Sequence, residues 1–206
     1  MSTENDRLIE LPRRNFLRTT AVLSVGAAAA GILAGCTNAN ASGSMAATGM
    51  SENKNAALLN VALGLEYQAI AAYQVGAESG LIKDKKVLDL ALQFQGQHKQ
   101  HAAALKKLVT ELNATPVAQK APLSAPIGKL AAAYGIPAGN LHSQADVLHY
   151  AAGLEEGAAK AYLSTVPKFT MPDLAHAAAS IEGDEAMHWA VLRGALGLNP
   201  VPVAFI

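Results

Sequence analysis

The chain is poor in the residues that build disulfides, zinc ribbons and sheet cores. Its single cysteine, Cys36, cannot form an intramolecular disulfide. A lone thiol also rules out Cys-rich zinc sites and a four-cysteine iron centre. Aromatic residues occupy 5% of the 206 positions, whereas 51% are hydrophobic and many of those are alanine. That balance favours closely packed helices over stacked sheets. An excess of one charge is missing too. Sixteen Lys and Arg face sixteen Asp and Glu, and no basic run offers a track for a phosphate backbone, which argues against nucleic acid as a partner. The apolar stretch near the N-terminus is short and rich in glycine and alanine, so it does not read as a membrane-spanning helix. What remains is long enough for one domain with a real core.

The first 36 residues read as an address. Pro12-Arg13-Arg14-Asn15-Phe16-Leu17-Arg18 precedes a mildly apolar segment and then small residues, the layout of a secretory signal. Paired arginines followed by Phe-Leu and a basic residue resemble the twin-arginine export signal. The segment ends Leu33-Ala34-Gly35-Cys36, similar to the lipobox of bacterial lipoproteins. That likeness implies removal of residues 1–35, a lipid on Cys36, and anchoring at the periplasmic face of a bacterial membrane, the outer one where the cell has two. A lipid chain anchors without spanning. The twin-arginine route resembles one used for proteins exported already folded, often with a cofactor aboard. Residues 36–52 are small and polar without periodicity and read as a flexible tether.

From Asn53 to Ser79 apolar residues recur at helical spacing, with Gly80 as a stop. A second helical run covers Asp84 to Asn113. Pro116, Pro122, Pro126 and Pro137 then exclude one long helix. A third helix is expected from Ser143, a plausible N-cap, to Thr165, and a fourth from Asp173 to Leu196, closed by Gly197. The tail from Asn199 onward reads as extended. The two halves resemble each other. Gly64-Leu65-Glu66 and Tyr73 match Gly153-Leu154-Glu155 and Tyr162 at an offset of 89 residues. The segment from Phe94 to His101 matches Ile181 to His188 at an offset of 87. Two helical hairpins joined by a long link, Ala114 to His142, make an all-α bundle of the one-crossover kind over residues 53–198.

The repeat puts charge where a core should be. Glu66 falls on the same stripe as Leu59, Ala62, Ala69, Ile70 and Tyr73, and Glu155 holds the equivalent place. A carboxylate there is costly unless it is paired, protonated or bound to metal. Glu185 and His188, three residues apart, project from one face of the fourth helix and can reach the same cation. This pattern resembles the ferritin-like di-metal carboxylate bundles, which use one Glu from each of two helices and a Glu-x-x-His pair from each of the other two. The resemblance implies Glu66, His101, Glu155, Glu185 and His188 as metal ligands. His98 stands where the family carries a glutamate that usually bridges two metals. A neutral imidazole has one lone pair and cannot bridge. Three arrangements stay open: an asymmetric pair bridged only by Glu185, a single-metal site, or a bundle that has lost its metal; His98 is counted with the candidate ligands. His98 also reads as a core histidine bonded to Glu185. Tyr73 and Tyr162 read either as hydroxyl donors to the ligand carboxylates or as core aromatics with polar tips. Glu156, Glu182 and Asp184 read as solvated.

One or two transition metals are expected, iron or manganese first, then zinc or copper. Three functions fit: a metal-dependent oxidase or peroxide-reducing enzyme, a non-catalytic metal-binding protein, and a structural or stress-related bundle with a degenerate site. Ferritin-like bundles often pair, which makes a homodimer an expectation as well.

Overall fold

The computed structural model describes residues 44–206, with side chains from Asn53 onward. The twin arginines, Cys36 and the first part of the tether lie outside the described residues. Among the described residues there are five α-helices and no strand: α1 (Ser44–Glu78), α2 (Lys85–Glu111), α3 (Ile127–Tyr134), α4 (Gln144–Thr165) and α5 (Pro172–Ala195), with 3-10 turns at Ala138–Asn140 and Val166–Lys168. α1 pairs with α2 and α4 with α5, and α3 docks from the crossover onto α1. The architecture is the all-α bundle of two hairpins. No described helix is long and apolar enough to cross a membrane.

The helix ends follow local chemistry. The Asp84 carboxylate accepts from the backbone N–H of Lys86 and caps α2. The Ser143 hydroxyl accepts from Asp146 N–H and caps α4. Gly80 and Gly197 adopt φ of 70° and 71°, the left-handed conformation that stops α1 and α5. Two features depart from the expectations. α1 starts at Ser44, so residues 44–52 are helical although they carry no apolar periodicity. Periodicity reports burial. A proline-free stretch with alanine and methionine can extend an established helix without it. The crossover also holds a helix of its own, α3, between Pro126 and Gly135. Prolines exclude a long helix there, but eight residues between two breakers suffice. Leu130, Ala131 and Tyr134 bury themselves against Ala71, Ala72 and Val75 of α1.

Two apolar layers set the position of everything polar. One contains Leu59, Leu63, Leu105, Val109, Leu174 and Ala178. The other contains Tyr73, Phe94, Leu148, Trp189 and Leu192. Along each long helix the ionisable residues fall between these layers: Glu66 after Leu63, His98 and His101 after Phe94, Glu155 after Ala152, Glu185 and His188 after Ile181. A separate polar tie joins the hairpins. Fully buried Asn55 of α1 donates through Nδ2 to Thr170 Oγ1 at 2.8 Å and accepts from Thr170 N–H at 3.1 Å. Asn55→Ala removes both hydrogen bonds, and we expect it to lower unfolding free energy by about 1–3 kcal/mol. Chemical denaturation checks this, and an unchanged midpoint would show that the tie contributes nothing.

Candidate metal centre

Six ionisable side chains meet in the layer between the apolar clusters, and all are nearly inaccessible: Glu66 and Glu155 are 1% exposed, Glu185 0%, His98 1%, His188 3% and His101 8%. Helix geometry explains the convergence. α1 and α4 each supply one glutamate from the core stripe. α2 and α5 each supply a pair three residues apart, which shares a face. The six form two overlapping donor sets whose ligand atoms lie within 4.8 Å of one another: Glu66, His98, His101 and Glu185, and His98, Glu155, Glu185 and His188.

His98 sits at the centre. Its Nδ1 donates to Glu66 Oε2 at 2.9 Å and its Nε2 to Glu155 Oε1 at 3.2 Å. The bond to Glu185 that one of the two readings of His98 offers is not made. The nearest Glu185 oxygen is 3.5 Å from His98 Nδ1, because the ring is held from α1 and α4 instead. His101 Nδ1 approaches Glu185 Oε1 at 3.2 Å, but the two are not aligned for a hydrogen bond. His101 Nδ1 and both Glu185 oxygens are therefore buried without a hydrogen-bond partner. His188 Nδ1 donates to Glu155 Oε2 at 3.3 Å.

The surrounding groups repeat as the sequence does. The Tyr73 hydroxyl donates to Glu155 Oε1, and the Tyr162 hydroxyl donates to Glu66 Oε1. Each hairpin thus orients the glutamate of the other. Two partners escaped the sequence reading. His101 Nε2 donates to Asp184 Oδ2 at 3.1 Å, and His188 Nε2 meets Gln97 Oε1 at 2.9 Å. Asp184 reads as solvated from the sequence. Its side chain is 38% exposed, yet it reaches across to α2. The signal was present: positions 97 and 184 are themselves equivalent in the repeat, each directly before the first member of the paired ligands.

Burial alone would raise every carboxylate and lower every imidazole. For Glu66 that push is overridden by the imidazoles of His101 and His98, which hold its carboxyl low. Glu155 is held well below the carboxylate range by His188 and His98 against the same burial. Glu185 goes the other way. Burial dominates, the Glu155 carboxylate adds to it, and despite His101 the group rises to about 8. His98 and His101 each rise to about 10, as the glutamates around them outweigh desolvation. Burial and the facing glutamates drive Tyr73 and Tyr162 upward, so both keep their protons and donate.

These atoms suit a cation. Oxygen and imidazole donors in a closed cluster match the ligand classes of iron, manganese, zinc and copper, and the unpartnered Glu185 oxygens and His101 Nδ1 are what an ion would satisfy. A helical bundle with carboxylates and imidazoles gathered in its core defines the class. The model of the ferritin-like domain matches residues 54–198, and the chain belongs to the ferritin-like family. Among solved structures, a conserved hypothetical protein from Mycobacterium tuberculosis superposes with a TM-score of 0.55 at 20% identity, covering 77% of this chain and 99% of that one. That likeness concerns the fold alone. No curated protein matches.

Two outcomes follow. His98 and His101 have folded-state pKa values raised from 6.5 to about 10, so their contribution to the metal-free fold is complete below pH 6.5 and lost as pH rises through about 10. Glu185 runs in the same direction, losing its contribution as pH rises through about 8. Glu66 and Glu155 have lowered values, so theirs is present above pH 4.5 and lost on acidification. Denaturation midpoints of metal-free protein should fall steadily from pH 6.5 toward 10; a flat profile would contradict the network. Separately, Tyr162→Phe removes the donor that orients Glu66. Isothermal titration should show metal affinity reduced about 10–100-fold with helix content unchanged.

Proposed function

We propose that this protein is an exported, lipid-anchored metal-binding bundle that carries a transition metal in its core. The observation that carries the metal reading is the buried donor set with His101 Nδ1 and both Glu185 oxygens unpartnered. Such groups are expensive to desolvate with nothing to bond. A dication at this point would accept all three. Export rests on the paired arginines Arg13 and Arg14, and anchoring on Cys36 as the lipidated residue, which would hold the bundle at the periplasmic side of a membrane.

A closed donor shell favours holding an ion over processing a large substrate. Iron or manganese suits three carboxylates with imidazoles, and zinc or copper is accommodated by the same donors. A redox role, as an oxidase or in peroxide reduction, is the second reading. What favours it is that the cluster comes nearest to solvent at His101 and Asp184, whose side chains are 10% and 38% exposed. Only a very small oxidant has a short approach there. A bound iron or manganese ion supplies one-electron chemistry. The chain's own part is to fix the donors, exclude bulk water and hold protons on Tyr73 and Tyr162.

Protein purified without chelator should contain transition metal by elemental analysis, and Glu185→Ala should lose it while keeping its circular dichroism. Binding must displace the protons of His101 and Glu185, so it should release about two protons per ion near neutral pH and tighten as pH rises. Absence of metal, together with no uptake on reconstitution, would rule the function out. Peroxide consumption by the loaded wild type but not by Glu185→Ala would move the conclusion to the second reading.

A further inference from the structure

The metal-binding reading requires an ion to cross the wall of the bundle, and the four seams between its helices are not equally closed. Along the bundle axis the two apolar layers stand in the way. A dication passing through them would lose its water with nothing to replace it. The hairpin seams α1–α2 and α4–α5 are the closely packed ones, and α2 meets α5 least closely. Between α1 and α2, buried Gln95 donates to Ile70 O at 3.1 Å and to Gln74 Oε1 at 2.7 Å, and accepts from Lys99 Nζ at 2.8 Å. Between α1 and α4, Tyr67, Tyr150 and Leu154 pack against the cluster that α3 forms on α1.

The α2–α5 seam is built differently. Two hydrogen bonds cross it from the polar layer, each to the outer nitrogen of a histidine ring: Asp184 Oδ2 to His101 Nε2 at 3.1 Å, and Gln97 Oε1 to His188 Nε2 at 2.9 Å. Tyr73 and Tyr162, the other groups bonded to the six, are buried, whereas the Asp184 side chain is 38% exposed. The ring that Asp184 holds from outside turns its other nitrogen, Nδ1, unpartnered into the layer beside the open Glu185 oxygens. One side chain therefore spans the distance from a surface carboxylate to the open donors. Gln93 and Gln100 on α2, and Ser180 and Met187 on α5, lie three or four residues from Gln97 and Asp184 and share their faces. All four are exposed and uncharged, so Asp184 supplies the charge at this mouth.

We infer that the α2–α5 seam is the entry route for a divalent cation, with Asp184 the carboxylate that gathers it from solvent and His101 the ligand it reaches first. A carboxylate at a mouth with low-dielectric walls raises the local concentration of cations and their rate of entry. The repeat explains why one of its two equivalent places serves. The counterpart of Asp184 on α2 is Gln97, a neutral amide that holds His188 without attracting a cation.

Co2+ is the probe. The single tryptophan, Trp189, adjoins His188, so cobalt in the centre quenches its fluorescence. Stopped-flow mixing of the chelator-treated full chain with Co2+ at low ionic strength reads the entry rate. Asp184→Asn keeps an oxygen acceptor for His101 Nε2 but removes the charge, and should slow entry about tenfold. Gln100→Glu should speed entry and Gln100→Lys slow it, each about twofold, and both effects should fade as salt is raised. The same two substitutions at Gln119, exposed on the crossover beside Lys120, whose N–H donates to the Tyr134 hydroxyl of α3, should leave the rate unchanged. An unchanged rate in Asp184→Asn, no response at Gln100, or an equal response at Gln119 each overturns the route, while bound cobalt leaves the metal reading standing. No quenching and no cobalt by elemental analysis, with helicity intact, overturns both. If Asp184→Asn does not fold, the Gln100 pair against the Gln119 pair still decides.

Discussion

The structure turns on one electrostatic constraint: three carboxylates and three imidazoles share a layer of the core that water does not reach. An isolated charge there would be costly to bury. Gathered together they compensate each other, and the shifts of Glu66 and Glu155 downward and of His98 and His101 upward express the same attraction from its two sides. Apolar layers above and below keep the solvent out. Phe94 stacks on His188 with ring centroids 4.1 Å apart, so the edge of the polar layer is continuous with the packing. The cost of the layer is concentrated in Glu185, whose carboxyl burial drives upward.

Duplication explains most of the remaining geometry. Tyr73 serves the glutamate of the second hairpin and Tyr162 that of the first. Asp184 serves a histidine of the first hairpin, and Gln97 a histidine of the second. These reciprocal contacts lock the hairpins together at the same place where the charges meet, so the fold and the centre stabilise each other. The repeat fails at one inner position, where His98 faces Glu185. That single break turns a symmetric arrangement into an asymmetric one, with a satisfied side at Glu155 and an open side at His101.

Much of this was legible in the sequence because the relevant physics is local. The cap at Asp84, the cap at Ser143 and the stops at Gly80 and Gly197 depend on residues a few positions away. The inner faces of the helices follow from periodicity, and the repeat placed all six ionisable residues on those faces. The crossover helix was missed because eight residues between breakers carry too little periodicity to register. Its stability comes from docking Leu130 and Tyr134 on α1. Helix α1 began earlier than expected because helicity does not require a buried face.

The sequence by itself determined the helical scaffold, the pairing of its halves and the set of groups turned inward, since spacing along a helix decides which side chains share a side. It could not decide which nitrogen meets which oxygen. That Asp184 leaves the solvated face to reach His101, that His98 is held by Glu66 and Glu155 and not by Glu185, and that Glu185 is left open are matters of distances between different helices. Only the packing of four helices around one layer sets those distances, because charge compensation in a closed core acts across the chain and not along it.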